Sequence, residues 1–153
     1  KRDDAFLWIV DIQEPLMRVM SHPDRLLANT GILIEAAKVL GLPLLVTEQY
    51  PERFGPTVEP LRSRLVDGKR LGKMTFSGCG AAGAWDRIHE TGRRTAILSG
   101  VETHVCVQQT AHDLLAEGFT VHVPADAVDS RTALNSKLGL DQSRESGAVI
   151  TST

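Results

Sequence analysis

Two residues in this chain invite a chemical reading: a cysteine at the start of a helix and an aspartate at the end of a strand. Cys106 lies in "SGVETHVCVQQTAHDLL" (99–115), directly after an apolar strand. The spacing of Val107, Ala111 and Leu114 predicts a helix there, with Cys106 in its first turn. On a helical wheel Cys106 falls with Thr110, Asp113 and Glu117, roughly a quarter turn from the apolar stripe. Unpaired N–H groups and the positive end of the helix dipole stabilise a thiolate at such a position, and the thiolate is the nucleophilic form. Asp11 closes the apolar run "AFLWIV". Taken singly, a cysteine is more often a packing residue, and a strand-end aspartate often caps or binds solvent. What the two can do depends on the elements that position them.

Those elements alternate. Strands are expected at 5–10, 44–47, 95–99, 119–123 and 148–151, with a short edge strand in "GKRLGK" (68–73). Leu26, Thr30, Leu33, Ala37 and Leu40 mark a helix stopped by Gly41. Val58, Leu61 and Leu65 suggest a short helix, and Ala81, Ala84, Trp85 and Ile88 another ended by Gly92. Further helices are expected over 105–117 and 132–144. The order βαβαβαβαβαβ predicts an α/β fold: a doubly wound, Rossmann-like parallel sheet of about six strands between two helical layers, in one domain over 1–153. Ligands in such folds bind beyond the carboxyl ends of the strands, where the strand order reverses. The ends of the first and fourth strands flank that crevice, and Asp11 and "GVETHVC" occupy them. Gln13, Tyr50 and Phe76 sit just past strand ends, with Thr103 and His104 beside the cysteine, and all five are candidate pocket residues.

Composition narrows the partners. Hydrophobic content of 42%, charged content of 24% and a net charge of -2 over 153 residues describe an ordinary globular chain with no basic field for nucleic acid. The apolar runs are far too short for a membrane span, and Lys1-Arg2-Asp3-Asp4 leads into a strand without a signal-peptide pattern. Two cysteines make no disulfide framework, which points to a reducing cytoplasm. The histidines at 22, 89, 104, 112 and 122 form no metal-ligand motif, so neither metal nor cofactor is expected. His104, at i−2 from Cys106, does not face it in a helix and is not read as a dyad partner. Cys79 reads as a small packing residue.

"DIQEP" (11–15), "GKMTFSG" (72–78) and "SGVETHVCV" (99–107) together resemble the isochorismatase-like cysteine hydrolases, and the likeness runs from Asp11 to the closing "GAVITST". The resemblance implies a catalytic triad of Asp11, Lys73 and Cys106. It also implies a cis peptide at Val101–Glu102, which turns the Glu102 N–H beside that of Cys106 as an oxyanion hole. Metal-dependent nicotinamidases of the superfamily carry an aspartate and a histidine where this chain has Gln49 and Pro51, so the resemblance is to a metal-independent branch. Isochorismatases proper lack the cysteine, so its presence implies acyl chemistry on a small amide or related substrate through a thioester. Homo-oligomers, and a further helix after the last strand, are implied as well. Two readings from other classes stay open beside this one. One is a thiol module in which Cys79 and Cys106 sense redox state; the other is an assembly scaffold on the same fold.

Overall fold

Six consecutive apolar residues leave a strand no polar face, and β1 (Ala5–Val10) is accordingly buried along its whole length. In the computed structural model, which describes residues 1–65 and 70–153, the remaining strands are β2 (Leu44–Gln49), β3 (Arg70–Lys73), β4 (Thr95–Val101), β5 (Thr120–Pro124), β6 (Val128–Asp129) and β7 (Val149–Thr151). All pair in parallel, in the order β3-β2-β1-β4-β5-β7. The α/β doubly wound expectation holds. The added strand β6, only two residues long, pairs with the carboxyl end of β4 and carries too little pattern to be read from sequence. Positions 68–69 of the expected edge strand lie outside the described residues.

Alternate residues of β1 face opposite layers. Phe6, Trp8 and Val10 join Leu98, Val107, Ala111 and Leu114 in one core, under α5 (Ala84–Glu90), α6 (Gln108–Ala116) and α7 (Ala133–Glu145). Leu7 and Ile9 join Leu26, Ile34 and Leu61 in the other, under α2 (Pro23–Leu40) and α4 (Glu59–Arg62). Each fully buried large side chain contributes roughly 1.5–3 kcal/mol relative to exposure, so both layers are held firmly to the sheet. The two remaining helices, α1 (Glu14–Met17) and α3 (Pro51–Phe54), are single turns in the loops after β1 and β2, each opened by a proline in its first turn.

The strand order reverses between β1 and β4. Their register runs from Ala5↔Thr95 to Val10↔Gly100. A side chain at position 100 is excluded: a Cβ there would stand 2.0 Å from the Val10 carbonyl oxygen, and φ is +138°. Glycine thus lets the two strand ends meet where the crevice opens.

Candidate active site

Past Val10 the chain turns sharply. Asp11 has φ 54° and Tyr50, at the end of β2, has φ 37°. Left-handed backbone at a tyrosine is costly, on the order of 1–3 kcal/mol, and such positions cluster at functional sites. Both are pinned by neighbouring strands: the Asp11 N–H donates to Thr47 O at 3.1 Å and the Tyr50 N–H to Lys73 O at 2.8 Å.

The structure brings Asp11, Lys73 and Cys106 together. Lys73 Nζ lies 2.6 Å from Asp11 Oδ2, and both side chains are 0% exposed. The approach is ionic rather than a directed hydrogen bond. The ammonium donates instead to Gln49 Oε1 at 2.5 Å and to the carbonyls of Thr75 and Phe76, each at 3.0 Å. The Cys106 thiol faces the same carboxylate. Cys106 is itself nearly buried, yet it forms part of the wall of a cavity of about 320 Å³. Tyr50, Phe54 and Phe76 make an aromatic side to that cavity, Leu16 and Val105 add aliphatic surface, and Gln49, Glu102 and Arg131 are polar.

The helix expected from 105 starts differently. Thr103–Val107 forms a turn of π-helix, with the Val107 N–H reaching Glu102 O at 3.2 Å, and α6 follows. Cys106 joins the apolar cluster and Thr110 is fully buried, although both fall on the polar side of the wheel, because α7 packs against the π-turn and the loop after β3 against α6. The Thr110 hydroxyl donates to Cys106 O at 2.6 Å and accepts from the Gly78 N–H at 2.8 Å, tying the cysteine's backbone to the loop after β3. The Val101–Glu102 peptide is cis.

Burial acts against the thiolate that the helix start favours. It pushes the Cys106 thiol up to about 12, Asp11 adds to this, and Lys73 opposes it. Asp11 is raised as well, again chiefly by burial, against the pull of Lys73. Burial and the Asp11 carboxylate thus favour the thiol form of Cys106, against the pull of Lys73. One consequence is directly measurable. Wild type is expected to react with iodoacetamide more slowly than a free cysteine at about pH 8, whereas Asp11→Asn, which removes the negative neighbour, reacts faster than wild type. Intact-mass kinetics decide this; a variant no faster than wild type means the carboxylate is not what holds the proton on sulfur.

Of the five candidate pocket residues, Tyr50 and Phe76 line the cavity. Gln13 does not. It is fully buried, with Nε2 donating to Gln49 O at 2.9 Å and Gly55 O at 2.7 Å while Oε1 accepts the Gln49 N–H at 2.7 Å. It is a strut between loops, because an amide matches both a donor and an acceptor of the backbone. Thr103 is buried outside the cavity wall, and His104 turns away to Ser130 Oγ, 3.0 Å from its Nδ1. Sequence reading overlooked Gln49 as the partner of Lys73, although the two end adjacent strands in register. Arg131 was also overlooked; a lone arginine after a two-residue strand has no sequence signal. Cys79 is buried and, like Cys106, free, and burial pushes its thiol up to about 12. Among the described residues no group of three or more His, Cys, Asp or Glu could hold a metal.

The isochorismatase domain matches residues 5–153. The secreted isochorismatase effector Isc1 of Phytophthora sojae is 39% identical over 97% of this chain and 72% of that protein. The solved structure of MAR1 ribonuclease from Caenorhabditis elegans superposes with a TM-score of 0.93 at 34% identity, over 99% of this chain and 78% of that one. The YcaC gene product of Escherichia coli, described as an octameric hydrolase of unknown specificity, gives 0.94 at 26% identity, over 99% and 76%. This chain spans from half to about three quarters of the length of the curated relatives it matches.

Proposed function

The chain belongs to the isochorismatase family, and from that premise we propose that it is a metal-independent cysteine hydrolase acting on a small amide or related acyl substrate. The carrying observation is the buried contact of 2.6 Å between Lys73 Nζ and Asp11 Oδ2, placed behind a thiol that forms part of the cavity wall. Burying that pair costs more than an apolar pair would, which supports a chemical rather than a packing role.

In the proposed reaction Asp11 takes the thiol proton as Cys106 Sγ attacks the substrate carbonyl carbon. The carbonyl π electrons move to oxygen, and the N–H groups of Glu102 and Cys106 stabilise that oxyanion. Asp11 then passes the proton to the departing amine, the C–N bond breaks, and a thioester remains. Water, deprotonated by Asp11, attacks the thioester; the proton returns to sulfur as the acid leaves. Lys73 keeps Asp11 oriented throughout and offsets the charge that forms on sulfur. A raised thiol suits this sequence, because proton transfer to Asp11 accompanies attack instead of preceding it. Tyr50, Phe54 and Phe76 favour a planar or apolar acyl group, and the Glu102–Arg131 pair leaves the wall without net charge.

The test is a library of small amides and esters, with an oligoribonucleotide arm because the worm neighbour is named a ribonuclease. A covalent mass increase equal to the acyl fragment, on wild type and absent from Cys106→Ala, is the expected result. RNA cleavage without an adduct would replace this reading. A homo-oligomer is part of the proposal: the bacterial neighbour is named octameric, and Met74 and Phe76, the latter in the cavity wall, expose apolar surface. Two free, buried cysteines support a reducing, cytoplasmic setting, while the Phytophthora relative is named a secreted effector. Among the described residues no helix is long and apolar enough to cross a membrane.

A further inference from the structure

Glu102 has two functions to reconcile. Its N–H belongs to the proposed oxyanion hole, while every hydrogen bond found to its carboxylate comes from one residue, with His104 Nδ1 4.0 Å from Oε2. Arg131 donates to it three times: from the backbone N–H at 3.2 Å, from Nε at 3.1 Å and from Nη2 at 2.6 Å, the last two to different carboxylate oxygens. Arg131 lies just beyond β6, whose register Gly100↔Val128 and Val101↔Asp129 lays it along the last residues of β4. Two adjacent chain segments are thereby locked at the point where the π-turn begins.

The far side of that turn is also held. Gly139 of α7 packs so closely that a Cβ would stand 2.7 Å from His104 N and Cα and 2.8 Å from Thr103 C. The segment bearing both proposed oxyanion donors is thus gripped by α7 on one flank and by the Arg131 fork on the other. The fork is a poor investment in stability. The Arg131 side chain is 56% exposed, and ion pairs with a solvent-exposed partner contribute little to folding. A planar, bidentate guanidinium fixes geometry, however, in a way a point charge cannot.

We propose that Arg131 is a positioning residue for acyl transfer: its fork on the Glu102 carboxylate sets the direction of the Glu102 N–H toward the oxyanion. Arg131 also stands in the cavity wall, so the same residue joins substrate entry to oxyanion geometry. The inference rests on the cysteine-hydrolase reading.

The experiment uses Arg131→Met, Arg131→Lys, Glu102→Gln and the Glu102→Gln/Arg131→Met double variant, with p-nitrophenyl acetate as probe and Cys106→Ala as control. Misplacing a reacting group by about 1 Å can cost about 10²-fold, so Arg131→Met is expected to lower kcat by about 10–10²-fold with KM little changed. Arg131→Lys restores the charge without the fork and is expected not to rescue. The double variant is expected to be no slower than the slower single variant, since both remove one interaction. Amide hydrogen exchange over 102–107 is expected to quicken in Arg131→Met while the melting temperature stays near that of wild type. Unchanged exchange, a loss confined to KM, full rescue by lysine, or additive losses would each overturn the proposal. Hydrolysis that survives Cys106→Ala removes the hydrolase reading, and the positioning role with it, whatever exchange shows.

Discussion

Cys106→Ala is expected to abolish turnover, by about 10⁴-fold or more, while leaving the fold in place. The size of the loss follows from the role: without sulfur there is no acyl intermediate, and Asp11 would have to activate water for direct attack on the amide. The structural cost is small. Cys106 is nearly buried in an apolar cluster, and removing one sulfur atom costs about 1 kcal/mol, in the range of other single-group deletions from cores. The expected signature is therefore a melting temperature within a few degrees of wild type and no detectable kcat, read by calorimetry and steady-state kinetics on one preparation. A variant that keeps a tenth of wild-type turnover would refute nucleophilic catalysis, and one that fails to fold would place the sulfur's role in packing.

Lys73→Met is expected to cost both stability and activity. Its ammonium stands among Asp11, Gln49 and two carbonyls with no water-facing surface, so truncation leaves Asp11 buried without a counter-charge. Breaking a buried pair in this way costs about 3–5 kcal/mol, which for a domain of this size lowers the melting temperature by about 10 °C. The loss depends on pH. Burial already raises Asp11, and removing Lys73 takes away the main opposing influence. A carboxyl raised in the folded state contributes stability at pH below its unfolded value, and that contribution is lost as pH rises through the folded value. The gap between variant and wild type is therefore expected to be wider at pH 8 than at pH 4. Adding Asp11→Asn should restore much of the stability, since a neutral buried pair has no charge to desolvate, without restoring turnover. Melting curves of both variants at the two pH values check this; a gap independent of pH would show that Asp11 stays ionised without its partner.

These two outcomes separate the hydrolase from the alternatives. A redox module needs Cys106 but gives no reason for Lys73 to contact Asp11, and a scaffold needs neither. The relatives point the same way only at the level of family: one is named a secreted effector, one a ribonuclease and one a hydrolase of unknown specificity. One fold carrying several names is expected, because function resides in loops and pocket walls rather than in the sheet.

Sequence alone determined what local pattern can determine. Unbroken apolar runs such as Ala5–Val10, alternating with helical stripes, oblige parallel strands between two layers of helix, and that architecture puts Asp11 and Cys106 at one crevice. Spaced motifs then marked Lys73 by likeness. Only the tertiary structure decided the rest. That Lys73 reaches Asp11 depends on β3 pairing with β2 and on Gln49 closing the register; that Arg131 grips Glu102 depends on β6, two residues too short to carry any periodicity. The influences on the sulfur divide in the same way. The helix-end argument is local and favours the thiolate, whereas desolvation and the Asp11 charge are supplied by segments distant in the chain and push the thiol the other way.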